Sequence, residues 1–512
     1  MALLLALLLC VGLAACDKGE IPVSGGREGT PVLTYGSGDY TAINPALYEH
    51  GEINLLLFAG LTAHNEKNEV IPDVAEKWEY DKGSHTYTFT LRQDVYFHDG
   101  VQLTSRDVKF TLEAIMNPAN ASENASNYEE ITSISTPDAF TVAITMAAPN
   151  VAMLDYLCMG ILPAHLLEGK DLATDPFNQN PVGAGPYRLS GWDMGQSITL
   201  VRHEAYHRGA PKIESIVFKI VEDTHARALQ LKSGELQLAQ VTPEDAALFD
   251  SQEFAVREMD TADYRGILYN LNSDFFGKYR ELPGILSYAI DRKAIVEAVL
   301  EGRGEEAYSP LQKGPYCNPQ MERFSYDPQK AQQLLEQAGW SKGADGFYQK
   351  DGQRLQFVIH NGQGDQVRID MSNICAQQLR EIGADVSVQV DAQVDWAHQD
   401  AYLIGWGSPF DPDDHTYKVF GTGKAANYSG YSNAQVDALL KAARETEERE
   451  ERKALYQAFQ EALAADPPYT FLAYVDAVYV ATPALKGISE DTVLGHHGVG
   501  IFWNVASWEL QG

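Results

Sequence analysis

The sequence predicts an α/β protein with more than one domain, and three observations support this prediction. The chain has 512 residues, which is too many for one small hydrophobic core and enough for two or three domains. Strand and helix patterns alternate along most of its length. The composition, with 45% hydrophobic and 21% charged residues, is that of a globular protein, so intrinsic disorder is disfavoured.

The strong negative charge argues against one class of partner. The formal net charge is −32 at pH 7, and such a surface repels phosphate backbones. Nucleic-acid binding is therefore not expected, although acidity alone names no ligand.

The first thirty residues have the pattern of a targeting segment and a tether. An apolar run fills 2–13 and ends in the sequence LAAC at 13–16. This ending resembles a bacterial lipobox, which implies a signal peptide over 1–15 and lipidation of Cys16. An ordinary secretory signal is the alternative. Residues 16–30 are rich in Gly, Glu, Lys and Ser, which is typical of a tether.

Residues 74–112 predict a strand, a turn and a helix in succession. Over 86–91 apolar and threonine side chains alternate, as in a half-buried strand. The sequence His-Asp-Gly at 98–100 is typical of a turn, and Thr104 or Ser105 can cap the helix that follows. On residue pattern alone, this is a well-formed βα unit.

Further elements follow in order along the chain. Strands are predicted at 197–202 and 215–221, and a hairpin is predicted around Asp351-Gly352. Capping residues and terminal glycines predict helices at 223–233, 286–300, 327–339, 370–382 and, as one or two helices, 432–465.

Four segments occur in the order known from one family. PVGAGPY at 181–187, SGE at 233–235 and AIDR at 289–292 follow the block at 74–112. Together they resemble the family 5 extracytoplasmic solute-binding proteins, which are the dipeptide, oligopeptide and nickel receptors of bacterial ABC importers. The resemblance covers about 31–510.

This resemblance implies an α/β, two-lobed periplasmic-binding-protein-like fold of the large class II type, with an extra domain inserted in the first lobe. Pro283-Gly284 and Lys486-Gly487 are candidate hinges between the lobes. The implied boundaries are lobe one at 31–70, 181–284 and 488–512, the inserted domain at 71–180, and lobe two at 285–487.

The segment 403–417 is the strongest candidate for a ligand-binding loop. Trp406 and Phe410 supply rigid aromatic contact area, while Asp411 and Asp413 supply carboxylates that can hold a cationic amine. The alternative interpretation is that the tryptophan belongs to the core and the acids form turns.

The resemblance adds a specific expectation for this loop. In peptide-binding members an aspartate here is expected to hold the α-amino group of the peptide, and the matching position in this chain is Ser408. The loop is similar instead to that of the nickel-chelate receptors of the same family.

Two other segments contain candidate ligand contacts, and the first of them is expected to form the opposite wall of the cleft. Tyr35 and Tyr40 flank a glycine-rich turn after the first strand, at the end of a strand where open α/β lobes bind ligands. His497 lies in a His-His pair between glycines. Neighbours on a strand point to opposite faces, so a structural or hinge role is favoured over a ligand contact.

The motifs that suggest an enzyme fail in context. The HExxH pattern at 203–207 follows a strand directly and is followed by Gly and Pro, so the helix that a zinc protease needs has no room. Cys158, Cys317 and Cys375 are too few and too widely spaced for a disulfide framework or a zinc site. A secreted metallohydrolase is therefore disfavoured, and no catalytic residue, resident metal or cofactor is expected.

The predicted function is that of an extracytoplasmic, lipid-anchored receptor that delivers a ligand to an ABC permease and ATPase. The favoured ligand is a small peptide, and the alternative is a nickel or other metal chelate. The resemblance implies a monomer that reaches the membrane, in the periplasm or on the outer face of the cytoplasmic membrane, through its lipid. A surface sensor or adhesin without transport is a further alternative.

Overall fold

The computed structural model of the chain describes residues 31–48 and 51–511. The predicted signal peptide and tether, with Cys16, lie outside the described residues. Among the helices in the described part, none is both long enough and apolar enough to cross a membrane.

The first large sheet has seven strands and is built around Val32–Ser37. This strand lies parallel to both of its neighbours, Ser215–Ile220 and Leu238–Val241, whereas the outer pairs are antiparallel. The order across the sheet is Ala255–Met259, Ala477–Ala481, Leu238–Val241, Val32–Ser37, Ser215–Ile220, Ser197–Arg202 and Tyr187–Asp193.

The second large sheet has six strands. Tyr264–Tyr269 is antiparallel to both of its neighbours, and Gln356–Gly362 is parallel to both of its own. The order is Gly304–Glu306, Tyr469–Val475, Tyr264–Tyr269, Ala401–Trp406, Gln356–Gly362 and Asp385–Asp391.

A four-stranded antiparallel sheet lies within the predicted inserted segment, in the order Ala75–Asp81, Thr86–Leu91, Thr141–Met146 and Ile131–Asp138. The predicted strand at 86–91 is confirmed, since its apolar residues are buried alternately. The predicted helix forms as Ser105–Met116, and its start is fixed by the Thr104 amide, which donates to Asp107 Oδ2 at 2.8 Å.

Three small sheets and the helices complete the described structure. The small sheets are Ser341–Lys342 with Tyr348–Lys350 and Gln353–Arg354, Thr62–His64 with Val70–Pro72, and Leu485–Lys486 with Glu509–Leu510. The α-helices are Asn54–Leu57, Ser105–Met116, Met153–Tyr156, Ala164–Leu167, Thr224–Lys232, Pro243–Ala246, Asp274–Lys278, Leu282–Ser287, Arg292–Val299, Pro328–Gln337, Gln366–Ile382, Asp413–Phe420, Ala434–Glu445 and Arg449–Ala465. The 3₁₀-helices are Pro118–Asn120, Ala125–Asn127, Pro176–Gln179, His496–Gly498 and Ile501–Ser507.

The hydrophobic cores confirm a two-lobed α/β fold. One core joins the seven-stranded sheet to the inserted four-stranded sheet, so that Phe89 and Tyr479 belong to the same cluster. A separate core fills the second lobe around the six-stranded sheet. A third, smaller cluster covers the other face of the first sheet.

The chain crosses between the lobes earlier than the sequence predicts. The strand Tyr264–Tyr269 pairs in the second sheet, although the boundary at 284 assigned it to lobe one. The strand Ala477–Ala481 pairs in the first sheet, although 285–487 was assigned to lobe two. The two crossings are therefore 260–263 and Asp476, and the Thr261 hydroxyl joins them by donating to the Val475 carbonyl at 2.6 Å.

The predicted hinge residues lie elsewhere, because Pro283 and Gly284 belong to a helix and Lys486 belongs to a small sheet. The predicted helix at 286–300 is also two helices, Leu282–Ser287 and Arg292–Val299. The break arises because Asp291 adopts an extended conformation and its carboxylate accepts the Ala294 amide at 3.0 Å.

Candidate functional site

Two cavities lie where the lobes and the inserted domain meet. The first, here called the histidine cavity, has a volume of about 410 Å³ and is lined by Arg368, Trp396, Trp406, Tyr428, His496 and His497, among others. The second, here called the Phe410 cavity, has a volume of about 340 Å³ and is lined by Asn54, His64, Ser408, Phe410 and Trp503, among others. His496 lines both cavities.

The two neighbouring histidines present their rings side by side. Their ring centroids are 3.9 Å apart, because the pair lies in the 3₁₀ turn His496–Gly498 and His497 has a φ of 57°. The expectation that such neighbours face apart assumed a strand, and it is wrong for this turn. Both rings can therefore meet one ligand.

The Asp263 carboxylate holds this turn from the interlobe crossing. Its Oδ1 lies 2.7 Å from His496 Nδ1, and its Oδ2 accepts the backbone N–H of His497 at 2.9 Å. Arg265 forms an ion pair with the same carboxylate. The turn is thus fixed at both of its histidines by one side chain.

Arg368 closes the arrangement from the second lobe. Its Nη2 lies 3.4 Å from His496 Nε2 and 3.3 Å from His497 Nε2. The helix Gln366–Ile382 carries this arginine in its first turn, immediately after the strand Gln356–Gly362. A fixed guanidinium at such a point can hold a carboxylate in a bidentate pair.

Burial and neighbouring charges set the ionisation of the site. Burial, the adjacent His496 and the Arg368 cation together hold the pKa of His497 well below its usual range. Burial also lowers the pKa of Arg368, although a guanidinium stays protonated at neutral pH. His497 is consequently a neutral imidazole, which is the form that binds metal ions.

A row of stacked rings forms one wall of the histidine cavity. Trp396 stacks on Tyr428 with centroids 4.3 Å apart and an interplanar angle of 4°. Tyr428 lies 6.1 Å from Trp406, which in turn lies 6.3 Å from the His496 ring. This wall offers flat, rigid contact area to a small organic ligand.

Four of the predicted site residues line the cavities. Trp406 and His497 line the histidine cavity, whereas Ser408 and Phe410 line the Phe410 cavity. The Phe410 ring stacks on His64 with centroids 3.7 Å apart.

The two predicted carboxylates, Asp411 and Asp413, each form an ion pair with an arginine. Asp411 accepts two hydrogen bonds from Arg452, at 2.5 and 2.6 Å. Asp413 is fully buried and accepts hydrogen bonds from Arg444 at 2.6 and 3.0 Å and from the Tyr156 hydroxyl at 2.5 Å. Because both acids form ion pairs with arginines of their own lobe, the expectation that they hold a ligand amine is wrong for this conformation.

The two predicted tyrosines belong to the interior of the first lobe. Tyr35 is buried and its hydroxyl donates to Glu52 at 2.9 Å. Tyr40 packs against the same core, 6.4 Å from the Phe218 ring. Neither residue lines the two cavities.

The HExxH segment is a turn, as the sequence predicts. His203 Nδ1 contacts the Gly185 carbonyl at 3.2 Å, while His207 Nε2 contacts Asp73 at 2.6 Å. Within the described residues, no group of three or more His, Cys, Asp or Glu side chains is arranged to hold a metal ion.

Sequence reasoning missed Arg368 and Asp263, and of the His-His pair it named only His497 as a site residue. The arginine offers one usable signal, since it opens a helix directly after a strand, where α/β lobes place ligands. The aspartate offers none, because it is 233 residues from the histidine that it contacts.

Comparisons with known proteins agree with this architecture. The family model described as bacterial extracellular solute-binding proteins, family 5 Middle, matches residues 69–428. The oligopeptide-binding protein AppA of Bacillus subtilis (strain 168) is 29% identical over 546 aligned positions, covering 100% of this chain and 98% of AppA.

Two solved structures are similar over 94% of this chain. NikZ from Campylobacter jejuni in complex with Ni(L-His) is 36% identical with a TM-score of 0.89, and 99% of its chain is covered. AppA from Bacillus subtilis in complex with a nonapeptide is 28% identical with a TM-score of 0.86, and 100% of its chain is covered. These relatives are extracytoplasmic receptors for peptides or a nickel chelate. The chain belongs to the family 5 bacterial extracellular solute-binding proteins.

Proposed function

We propose that this protein is the receptor of an ABC importer and that it captures a divalent metal ion as a chelate with an amino acid. The observation that carries this proposal is the position of His496 and His497, whose Nε2 atoms both lie within 3.4 Å of one Arg368 nitrogen in the histidine cavity. The favoured peptide of the sequence prediction thus becomes the second candidate.

The donor atoms suit a borderline metal such as nickel. Imidazole is a good ligand for Ni²⁺, and it must be neutral to bind. The low pKa of His497 keeps this ring neutral at physiological pH. The metal is cargo in this proposal and not a resident cofactor.

The remaining coordination positions would be filled by the chelator. Two imidazoles supply two nitrogen donors, and an amino acid adds its amine and carboxylate oxygen. A second carboxylate oxygen can pair with Arg368, which in the described conformation contacts both histidine rings instead. The Ni(L-His) named for the similar NikZ structure has this chemistry.

Calorimetric titration tests the proposal. Ni²⁺ with L-histidine is expected to bind the wild-type protein, and His496→Ala and His497→Ala are each expected to weaken binding at least roughly tenfold, about 1.4 kcal/mol, since each removes a metal ligand. His225→Ala is the matched control, because this histidine pairs with Asp245 on the surface of the first lobe. Unchanged affinity in both site variants would contradict the proposal.

A small peptide in the Phe410 cavity is the second candidate. The residues Asn54 and Trp503 line this cavity, and within the described structure Asn54 Oδ1 and Trp503 Nε1 are buried without a hydrogen-bond partner. A peptide backbone offers both a donor and an acceptor. The same titrations with a peptide library decide between the candidates, since heat from peptides and none from nickel–histidine would favour this one.

We also propose that the receptor is a monomer without catalytic activity, lipidated on Cys16 and held at the outer face of the cytoplasmic membrane. The LAAC sequence at 13–16 supports lipidation. In cells fed labelled palmitate, the wild-type protein is expected to carry the label and Cys16→Ser is expected to lose it. Labelling of the variant would contradict the assignment.

A further inference from the structure

We infer that Asp263 is the positioning residue of the histidine turn and that it fixes the tautomer of His496 so that Nε2 faces the histidine cavity. The inference rests on the proposed function, but the tautomer of His496 can be measured independently in the metal-free protein. Asp263 lines neither cavity and would not itself touch the ligand.

The hydrogen bonds of the carboxylate determine where the proton lies. Paired with Arg265, Asp263 is a carboxylate and can only accept hydrogen bonds. The Asp263 oxygen lies 2.7 Å from His496 Nδ1, whereas the Arg265 Nη1 donor lies 3.4 Å from the same atom, so the shorter contact places the proton on Nδ1. In the neutral ring, Nε2 is then an acceptor and a competent metal ligand.

Both oxygens of the carboxylate are needed. Oδ1 accepts from the His496 ring while Oδ2 accepts the His497 amide at 2.9 Å. An asparagine has one acceptor and one donor group, so it can satisfy only one of these contacts. If its amide turns toward His496, the ring must move its proton to Nε2, which blocks metal binding at that atom.

The location of Asp263 gives this contact a second consequence. The residue lies in the crossing at 260–263, and its carbonyl accepts the Val475 amide of the other crossing strand at 2.9 Å. The histidine turn and the connection between the lobes therefore share one residue, which contacts the turn through its carboxylate and the other crossing through its carbonyl. A change in lobe orientation at this crossing would reach the histidines through the carboxylate.

The test compares Asp263→Asn with wild type by two measurements. Affinity for Ni²⁺ with L-histidine is expected to fall roughly 10–100-fold, the range seen when a partner behind a metal ligand is removed. ¹⁵N spectra of the metal-free, histidine-labelled protein are expected to show protonated Nδ1 in wild type and a different tautomer in the variant. The His496 signals are assigned by their loss in His496→Ala.

The matched control is Asp260→Asn, since Asp260 lies in the same crossing but pairs with Lys313. This control is expected to keep both the affinity and the tautomer of wild type. An Asp263→Asn protein that keeps the His496 tautomer would overturn the inference. If wild type binds no nickel–histidine, the proposed function fails, and the tautomer spectra of the metal-free protein still decide the role of Asp263.

Discussion

A buried glutamate explains why Tyr35 belongs to the core of the first lobe and lines neither cavity. Glu52 accepts the hydroxyls of Tyr35 at 2.9 Å and Tyr479 at 3.0 Å inside the first lobe. The Tyr479 hydroxyl also lies 3.1 Å from the carbonyl of Gly498, the last residue of the histidine turn, so this cluster contacts and supports the turn. Tyr35 therefore serves the core, and its hydroxyl points into the lobe and not into the cleft.

The ionisation of Glu52 predicts a pH-dependent stability. Burial raises the pKa of Glu52 from 4.5 to about 7, although the hydrogen bonds from Tyr35 and Tyr479 oppose the shift. The native state thus holds this proton more tightly than the unfolded chain, and the resulting stability is full below pH 4.5 and lost as the pH rises through 7. Between pH 5 and pH 9 this loss amounts to about 2–3 kcal/mol.

Denaturant unfolding at several pH values measures this contribution. Glu52→Gln keeps the shape of the side chain and removes the titration, so its stability relative to wild type is expected to rise by about 2–3 kcal/mol from pH 5 to pH 9. The exposed Glu79→Gln is expected to show no such trend. A constant difference between Glu52→Gln and wild type would contradict the raised pKa.

At the scale of elements, Asp411 and Asp413 fix the conformation of the loop that follows the strand Ala401–Trp406. Asp411 pairs with Arg452 of the helix Arg449–Ala465, and its Oδ1 also accepts the Asp413 amide at 2.9 Å. These contacts turn the chain into the helix Asp413–Phe420 and leave the aromatic residues of the loop at the cavities. The acids fix the loop geometry, while the rings of Trp406 and Phe410 line the two cavities.

At the scale of the whole molecule, buried charges join the inserted domain to the second lobe. Arg444 is fully buried between Asp413 of its own lobe and Glu130 of the inserted domain, 3.1 Å away. The carboxylate of the neighbouring Glu129 accepts hydrogen bonds from the Lys424 ammonium and from the Tyr417 hydroxyl, each at 2.6 Å. These contacts therefore join the inserted domain to the second lobe.

Removing the inserted-domain charges is expected to favour an open form. The double variant Glu129→Gln, Glu130→Gln removes two charged partners of the second lobe. This change is expected to raise the free energy of the closed form relative to the open form by at least about 1 kcal/mol, a roughly fivefold shift in their equilibrium. Small-angle X-ray scattering is expected to show a larger radius of gyration without ligand. Ligand affinity is expected to fall by the same factor, since a smaller fraction of the protein is then in the closed form that binds the ligand.

Glu113→Gln is the control for this prediction, because Glu113 pairs with Lys109 on an exposed helix of the same domain. It is expected to scatter and bind as wild type does. If the double variant has wild-type scattering and affinity, the buried charges do not hold the lobes together.

Much of the local structure follows from the sequence because it depends on neighbouring residues. The alternating strand Thr86–Leu91, the capped helix Pro328–Gln337 and the hairpin at Asp351-Gly352 form as predicted. The helix predicted at 370–382 is longer, Gln366–Ile382, and ends at Gly383 as expected. The family motifs were similarly sufficient to establish the two-lobed receptor fold.

By itself, the sequence determined the family and the α/β class, and it pointed to the segment 403–417, of which Trp406, Ser408 and Phe410 line the cavities. Only the tertiary structure decided which charges are available to a ligand, because Asp411 and Asp413 meet their arginines through folding. It likewise brought Arg368 and Asp263 to the histidine turn from 128 and 234 residues away. Such contacts depend on how the two lobes pack, and no local pattern in the chain encodes them.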